Sequence, residues 1–216
     1  MFVGHYGVSF ATKRADPSIP LWVLFVAVQW LDVVWAPLVL LGIERVRIVP
    51  GFTATNPLDL YYMPYTHSLV AAFMWSAAAA GVWRLVTNAK AKASLLVGLA
   101  VFSHWILDFI VHVPDLPLYD NTMKVGLGVW NQPVLAFGLE AGSLLGAMFA
   151  YLQRSHVQRT GIVGFGLAML GVQAYVFFGP PPVSSAAAAA TALGAYGLFA
   201  FVIWLLADRL VSRRAA

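Results

Sequence analysis

The chain has 216 residues, 61% of them hydrophobic and 10% charged, with a mean hydropathy of +0.79. A soluble domain needs more polar surface than this to cover itself, so the composition excludes a water-soluble globule. The net charge of +4 sits in short Lys/Arg clusters between apolar runs, which leaves no basic face for nucleic acid, and the absence of cysteine removes disulfides, thiolate metal sites and a cysteine nucleophile.

Residues 2–11 are apolar but follow no basic segment, and Lys13 and Arg14 come after them, so they do not read as a cleaved signal peptide. Two placements are open for this stretch. As a half-helix entering from the cytoplasmic side, it puts His5 about 13 Å deep, measured from Arg14. As an amphipathic segment lying flat, it leaves His5 at the interface.

Six segments then have roughly the 20 residues that a hydrocarbon core of about 30 Å requires. They fall at about 20–41, 66–86, 93–113, 132–153, 160–179 and 187–207. The loop at 42–65 contains Gly51, Asn56, Pro57 and Pro64 and is expected to be irregular but packed. Asp59, Asp115 and Asp120 read as solvated loop residues, and Tyr61, Tyr62 and Tyr65 as an aromatic interface belt. In the fourth span Gly138, Gly142 and Gly146 recur at every fourth position, as do Ala186, Ala190 and Gly194 in the sixth. Small residues at this spacing let helix backbones approach closely. Pro180, Pro181 and Pro182 predict a tight outer turn.

Charge sets the orientation. Lys13, Arg14, Arg84, Lys90, Lys92, Arg154, Arg159, Arg209, Arg213 and Arg214 all fall on one side if six spans are crossed; Arg45, Arg47 and Lys124 fall on the other. That bias places both termini in the cytoplasm. The expectation is an all-α, polytopic transmembrane helical bundle of about six spans, N-in and C-in, in a single domain 1–216. Residues 1–120 carry the motifs and 121–216 the scaffold helices.

A carboxylate at a helix centre costs about 2.5–3.5 kcal/mol on insertion scales, so Asp32 in the first span and Asp108 in the third need partners. His104, Asp108 and His112 are spaced by four and project from one helix face. A histidine and a carboxylate one turn apart can ligate one ion, or act as a ligand and the partner that orients it. Measured from the basic edge, Asp32 and His104 lie about 18 Å deep, Glu140 about 21 Å, Asp108 about 24 Å and His67 about 25 Å. Groups from four helices thus share one layer. Local alternatives stand beside this: His104 and Asp108 as a self-satisfied pair, Asp32 bonded through Gln29 with Pro37 freeing the carbonyl of Val33, and Glu140 turned away from the site if the glycine stripe faces a neighbour.

Four stretches together resemble the membrane-bound metal-dependent hydrolase family of the YdjM type: Gly4-His5, Leu31-Asp32, Thr66-His67-Ser68, and Ser103-His104 with Asp108 four residues on. The likeness covers about residues 1–120. It implies a hydrolase of the bacterial inner membrane with His5, Asp32, His67, His104 and Asp108 as metal ligands. Tyr62-Met63-Pro64 stand where that family has His-Arg-Gly, and Val34 where it has a second aspartate, which removes two potential ligands and argues against a two-metal site.

Imidazole and carboxylate ligands without sulfur suit zinc, and also manganese or iron. The expected activity is metal-dependent hydrolysis at membrane depth on a lipidic or amphipathic substrate. His67 and His104 are the ligands, with Asp32 or Asp108. The remaining carboxylate, or Glu140, is the general base. Arg45, Arg47 and Lys124 are candidates to hold an anionic head group. The competing expectations are a proton or metal-ion transporter or sensor, and an accessory subunit of an oligomer or membrane complex.

Overall fold

A computed structural model describes residues 1–155 and 158–209. Arg213 and Arg214, counted above for orientation, lie outside the described residues. Among the described residues the fold is mostly helical, with one short hairpin as its sheet, as the hydropathy pattern requires. Its elements are α1 (His5–Ala15), α2 (Leu21–Val28), α3 (Trp30–Leu40), β1 (Arg45–Ile48), β2 (Leu58–Tyr62), α4 (Leu69–Thr87), α5 (Ala91–Val111), α6 (Pro133–Leu152), α7 (Arg159–Phe178) and α8 (Ser185–Ile203), which continues as a π-helical turn, Trp204–Arg209. The helices α4 to α8 are each long and apolar enough to cross a membrane, and the bent pair α2–α3 makes a sixth where it is counted as one span. The protein is a multi-pass membrane protein whose outer surface meets lipid.

The first span is broken. Its halves meet at 53° around Gln29, not at Pro37, which sits inside α3. Gln29 is fully buried, and its amide Nε2 donates to the carbonyl of Phe2 at 3.0 Å. The amide is thus spent on the N-terminal segment and does not reach Asp32.

That segment is the half-helix, not the interfacial alternative. Gly4, Tyr6 and Gly7 of the N-terminal turn are buried, and α1 packs between α2, α5 and α6. Gly7 permits the contact, since a Cβ there would lie 2.4 Å from the carbonyl oxygen and the hydroxyl of Ser143. The far end of α1 reaches the basic edge, where Lys92 Nζ donates to the Ala15 carbonyl at 3.1 Å. Asp208, beyond α8, accepts from the amides of Leu21 and Trp22 at that same edge.

At the opposite edge the loop 42–65 is more ordered than expected. β1 and β2 pair antiparallel, with a register irregularity between Arg45 and Arg47. Asp59 lies on β2 and pairs with Arg47 at 2.5 Å, while the Arg47 guanidinium covers the Tyr61 ring at 4.5 Å. Lys124 and Asn121 both donate to the Tyr61 carbonyl, which ties the loop after α5 to the hairpin. These cations are therefore partnered within the chain.

The glycine stripe of α6 faces outward: a Cβ at Gly138, Gly142 or Gly146 would meet nothing within 4 Å. The stripe of α8 does the same at Ala186, Ala190 and Gly194, all exposed. Among the described residues neither stripe packs against a helix, contrary to the sequence expectation. The packed face of α6 is instead Ala136, Glu140, Leu144 and Met148. A core of Tyr6, Phe10, Leu21, Leu24, Phe25, Val97, Val101 and Leu144 fills the bundle on the basic side.

Candidate metal centre

Four helices converge on one buried point. α5 supplies His104 and Asp108, α3 supplies Asp32, α1 supplies His5, the residue before the N-cap of α4 is His67, and His112 caps α5. Apart from Asp32, whose side chain is 16% exposed, these side chains are 4% exposed or less. His104 Nε2 stands 3.1 Å from Asp108 Oδ2 and 3.7 Å from Asp32 Oδ1. His67 Nε2 lies 3.3 Å from Asp32 Oδ1 and 3.8 Å from Asp108 Oδ2. His112 Nε2 is 3.6 Å from Asp108 Oδ2, and His5 Nε2 is 3.1 Å from Asp108 Oδ1. The amino group of Met1 also contacts Asp108 Oδ1.

What lies behind each ring fixes its tautomer. His104 Nδ1 is 2.7 Å from the carbonyl of Val28. A carbonyl only accepts, so Nδ1 carries the proton. Val28 is the last residue of α2, and the break at Gln29 leaves its carbonyl at a helix end, where acceptors lack helical partners. His112 Nδ1 lies 2.8 Å from Asp115 Oδ1, another acceptor. His67 Nδ1 lies 2.7 Å from Thr66 Oγ1, whose own proton goes to Glu44 Oε2 at 2.6 Å. In the neutral form, all three histidines hold a proton on the outer nitrogen and a lone pair on the inner one. This is the arrangement of metal-bound imidazoles, whose outer N–H is held by a carboxylate, carbonyl or hydroxyl.

The inner side then poses an electrostatic problem. Lone pairs on three Nε2 atoms confront the carboxylate oxygens of Asp32 and Asp108 at 3.1–3.8 Å. His104 Nε2 is buried and makes no hydrogen bond despite its closeness to Asp108. Acceptors crowded in this way need positive charge among them, which the Met1 amino group supplies at Asp108 Oδ1 and which a proton or a metal ion would supply at the Nε2 atoms. Two groups have ligating atoms within 4.8 Å of one another: His5, His104 and Asp108, and Asp32, His67 and His104. The cluster fits a divalent cation with nitrogen and oxygen ligands.

His5 differs from the other three. Its Nε2 faces a carboxylate that can only accept, and its Nδ1 is buried without a partner. It stacks on His104 with ring centroids 4.0 Å apart. In this arrangement His5 donates to Asp108.

Glu140 does not face the cluster as a free base. Its oxygens accept the amides of Phe2 at 2.8 Å and Gly4 at 2.6 Å, holding the chain that carries His5. Asp115 is 6% exposed and orients His112, so its reading as a solvated loop residue is corrected. Asp32 is bonded by Tyr196 Oη at 2.6 Å, a partner from α8 with no motif to announce it. Glu44 was equally hidden in the sequence, since it stands in a loop beside Arg45. Burial pushes its carboxyl above the ordinary value, opposed by His67 and by its hydrogen bonds to Thr66 and Tyr65.

Fold and site together define a multi-pass membrane protein with a buried His/Asp cluster able to hold a metal ion. No protein-family model, curated protein or solved structure matches the chain.

Proposed function

We propose that the protein is a metal-dependent hydrolase of the YdjM type, acting within the bacterial inner membrane on a lipidic or amphipathic substrate. The observation that carries this is the set of three imidazoles, each anchored through Nδ1 with Nε2 aimed at two carboxylates. His67, His104 and Asp108 hold the ion, with the lone pair of His112 Nε2 turned to the same Asp108 oxygen and His5 bracing Asp108 from the other side. Zinc suits the donor set best, and manganese or iron share its preferences. When bound, such an ion supplies Lewis acidity and activates water for attack.

The chain's own groups divide the remaining work. Asp32 is the most exposed of the cluster, so it is the carboxylate a substrate meets, and it takes a proton at Oδ2 as general base. Tyr196 Oη steadies that oxygen. The apolar core toward the basic edge keeps water away from the rear of the site. A closed rear supports a hydrolase over a transporter, which needs access from both faces.

The test is metal content. Detergent-purified protein is expected to carry a stoichiometric divalent ion by elemental analysis, and His104→Ala to lose it. Unchanged stoichiometry in a folded His104→Ala protein sinks the proposal. Esterase, amidase and phosphoesterase activity on amphipathic reporters, lost in Asp32→Asn with metal retained, identifies the reaction class.

A further inference from the structure

Glu44 sits outside the cluster, in the loop before β1, and is 1% exposed. Its Oε1 accepts from the amides of Tyr65 at 2.8 Å and Thr66 at 3.0 Å, and its Oε2 accepts from Thr66 Oγ1 at 2.6 Å. A hydroxyl has one proton to donate. Because Glu44 takes it, Thr66 Oγ1 can meet His67 Nδ1 only as an acceptor. The His67 proton is thereby held on Nδ1, and the lone pair of Nε2 is turned toward Asp32 Oδ1, 3.3 Å away.

We infer that Glu44, acting through Thr66, is the positioning residue that makes His67 a ligand by setting its tautomer. The consequence for metal rests on the proposed function above; the control of the tautomer does not. A purely structural role for Glu44, stapling the loop through the Tyr65 and Thr66 amides, makes a different prediction. Glu44→Gln separates the two. The Gln amide keeps a carbonyl oxygen for the two backbone amides, so a staple survives. Its NH2 group, however, donates to Thr66 Oγ1 and reverses the relay. Thr66 then donates to His67 Nδ1, and the His67 proton moves to Nε2, where it blocks ligation.

The experiment uses the full chain in detergent, labelled with 15N in its imidazole nitrogens and stripped of metal, at a mildly alkaline pH where imidazole is neutral. Long-range 15N–1H correlation reads each tautomer, and His67→Asn assigns the His67 signals. Wild type is expected to show His67 protonated on Nδ1, and Glu44→Gln to show it on Nε2. Titration with zinc alone is expected to give an affinity about 10–100-fold lower in the variant. An unchanged His67 tautomer in folded Glu44→Gln, or a wild-type His67 protonated on Nε2, overturns the inference. A tautomer that switches in a protein that binds no zinc in either form supports the relay while sinking the metal reading. Should Glu44→Gln fail to fold, Thr66→Ser is expected to keep the wild-type tautomer and Thr66→Val to lose it. Identical tautomers in those two variants overturn the inference equally.

Discussion

His112 stands between two carboxylates, Asp115 behind it at 2.8 Å and Asp108 before it at 3.6 Å. Removing the rear acceptor frees the ring to turn or to shift its proton, so Asp115→Ala is expected to weaken zinc binding by about tenfold or more. It should leave stoichiometry intact at saturating zinc, in contrast to His104→Ala, and a chelator-competition titration distinguishes the two. Tyr196→Phe tests the other carboxylate. It strips Asp32 of a buried donor and is expected to cost about 1–3 kcal/mol, read as a lower midpoint of thermal unfolding. At the basic edge, Asp16 accepts from the hydroxyl and the amide of Ser18, which hold its carboxyl below the ordinary value of 3.8. A depressed folded value means that its contribution to stability is present above pH 3.8 and lost as pH falls through the lower folded value. The thermal advantage of wild type over Asp16→Asn should therefore vanish on strong acidification. Spacing of fours made the His104/Asp108/His112 face visible in the sequence. Glu44, Asp115 and Tyr196 were invisible because their burial is created by the hairpin, the loop after α5 and the packing of α8.

The spans were legible because about 20 apolar residues are the bilayer's own requirement, whatever the tertiary contacts. The break in the first span was not legible. It occurs at Gln29, between apolar neighbours and away from Pro37, where the side chain donates to the Phe2 carbonyl, a partner 27 residues away that neither a glycine nor a proline announces. The glycine stripes misled for a related reason. Spacing identifies which small residues share a face but not what lies against it, and the close approach of α1 to α6 is instead made by an isolated glycine, Gly7. A second isolated glycine, Gly98, brings α5 against α4, with a would-be Cβ 2.9 Å from the Ser76 carbonyl. α4 begins just after His67, and α5 carries His104, so this contact helps set the distance between two of the candidate ligands. Gly98→Val is expected to cost about 1–3 kcal/mol by overpacking and to reduce zinc affinity as the helices separate. Gly142→Ala, on the open stripe, should change neither.

Across the whole molecule, two edges have different chemistry, and the site belongs to one of them. The basic edge is backed by the packed layer around Phe10, Leu24, Phe25 and Leu144, each 1% exposed or less. The other edge carries the hairpin, Glu44 and Asp115, through which the outer nitrogens of His67 and His112 are held. Metal and water should accordingly exchange from the hairpin edge. The chain has no cysteine, so single cysteines can be introduced into it without background. Lys90 and Arg154 are exposed at one edge, and Met123 and Val183, 62% and 94% exposed, lie in the loops at the other. Between consecutive members of the order 90, 123, 154 and 183 the chain crosses once, through α5, α6 and α7. In sealed vesicles of one orientation, an impermeant maleimide is expected to label the Met123→Cys and Val183→Cys variants from one face and the Lys90→Cys and Arg154→Cys variants from the other. An impermeant chelator should then strip zinc from the face that labels position 123 and not from the opposite one. Stripping from the basic face would place an open path where the structure packs aromatic and aliphatic side chains, and would favour a transport pathway over a one-sided reaction centre.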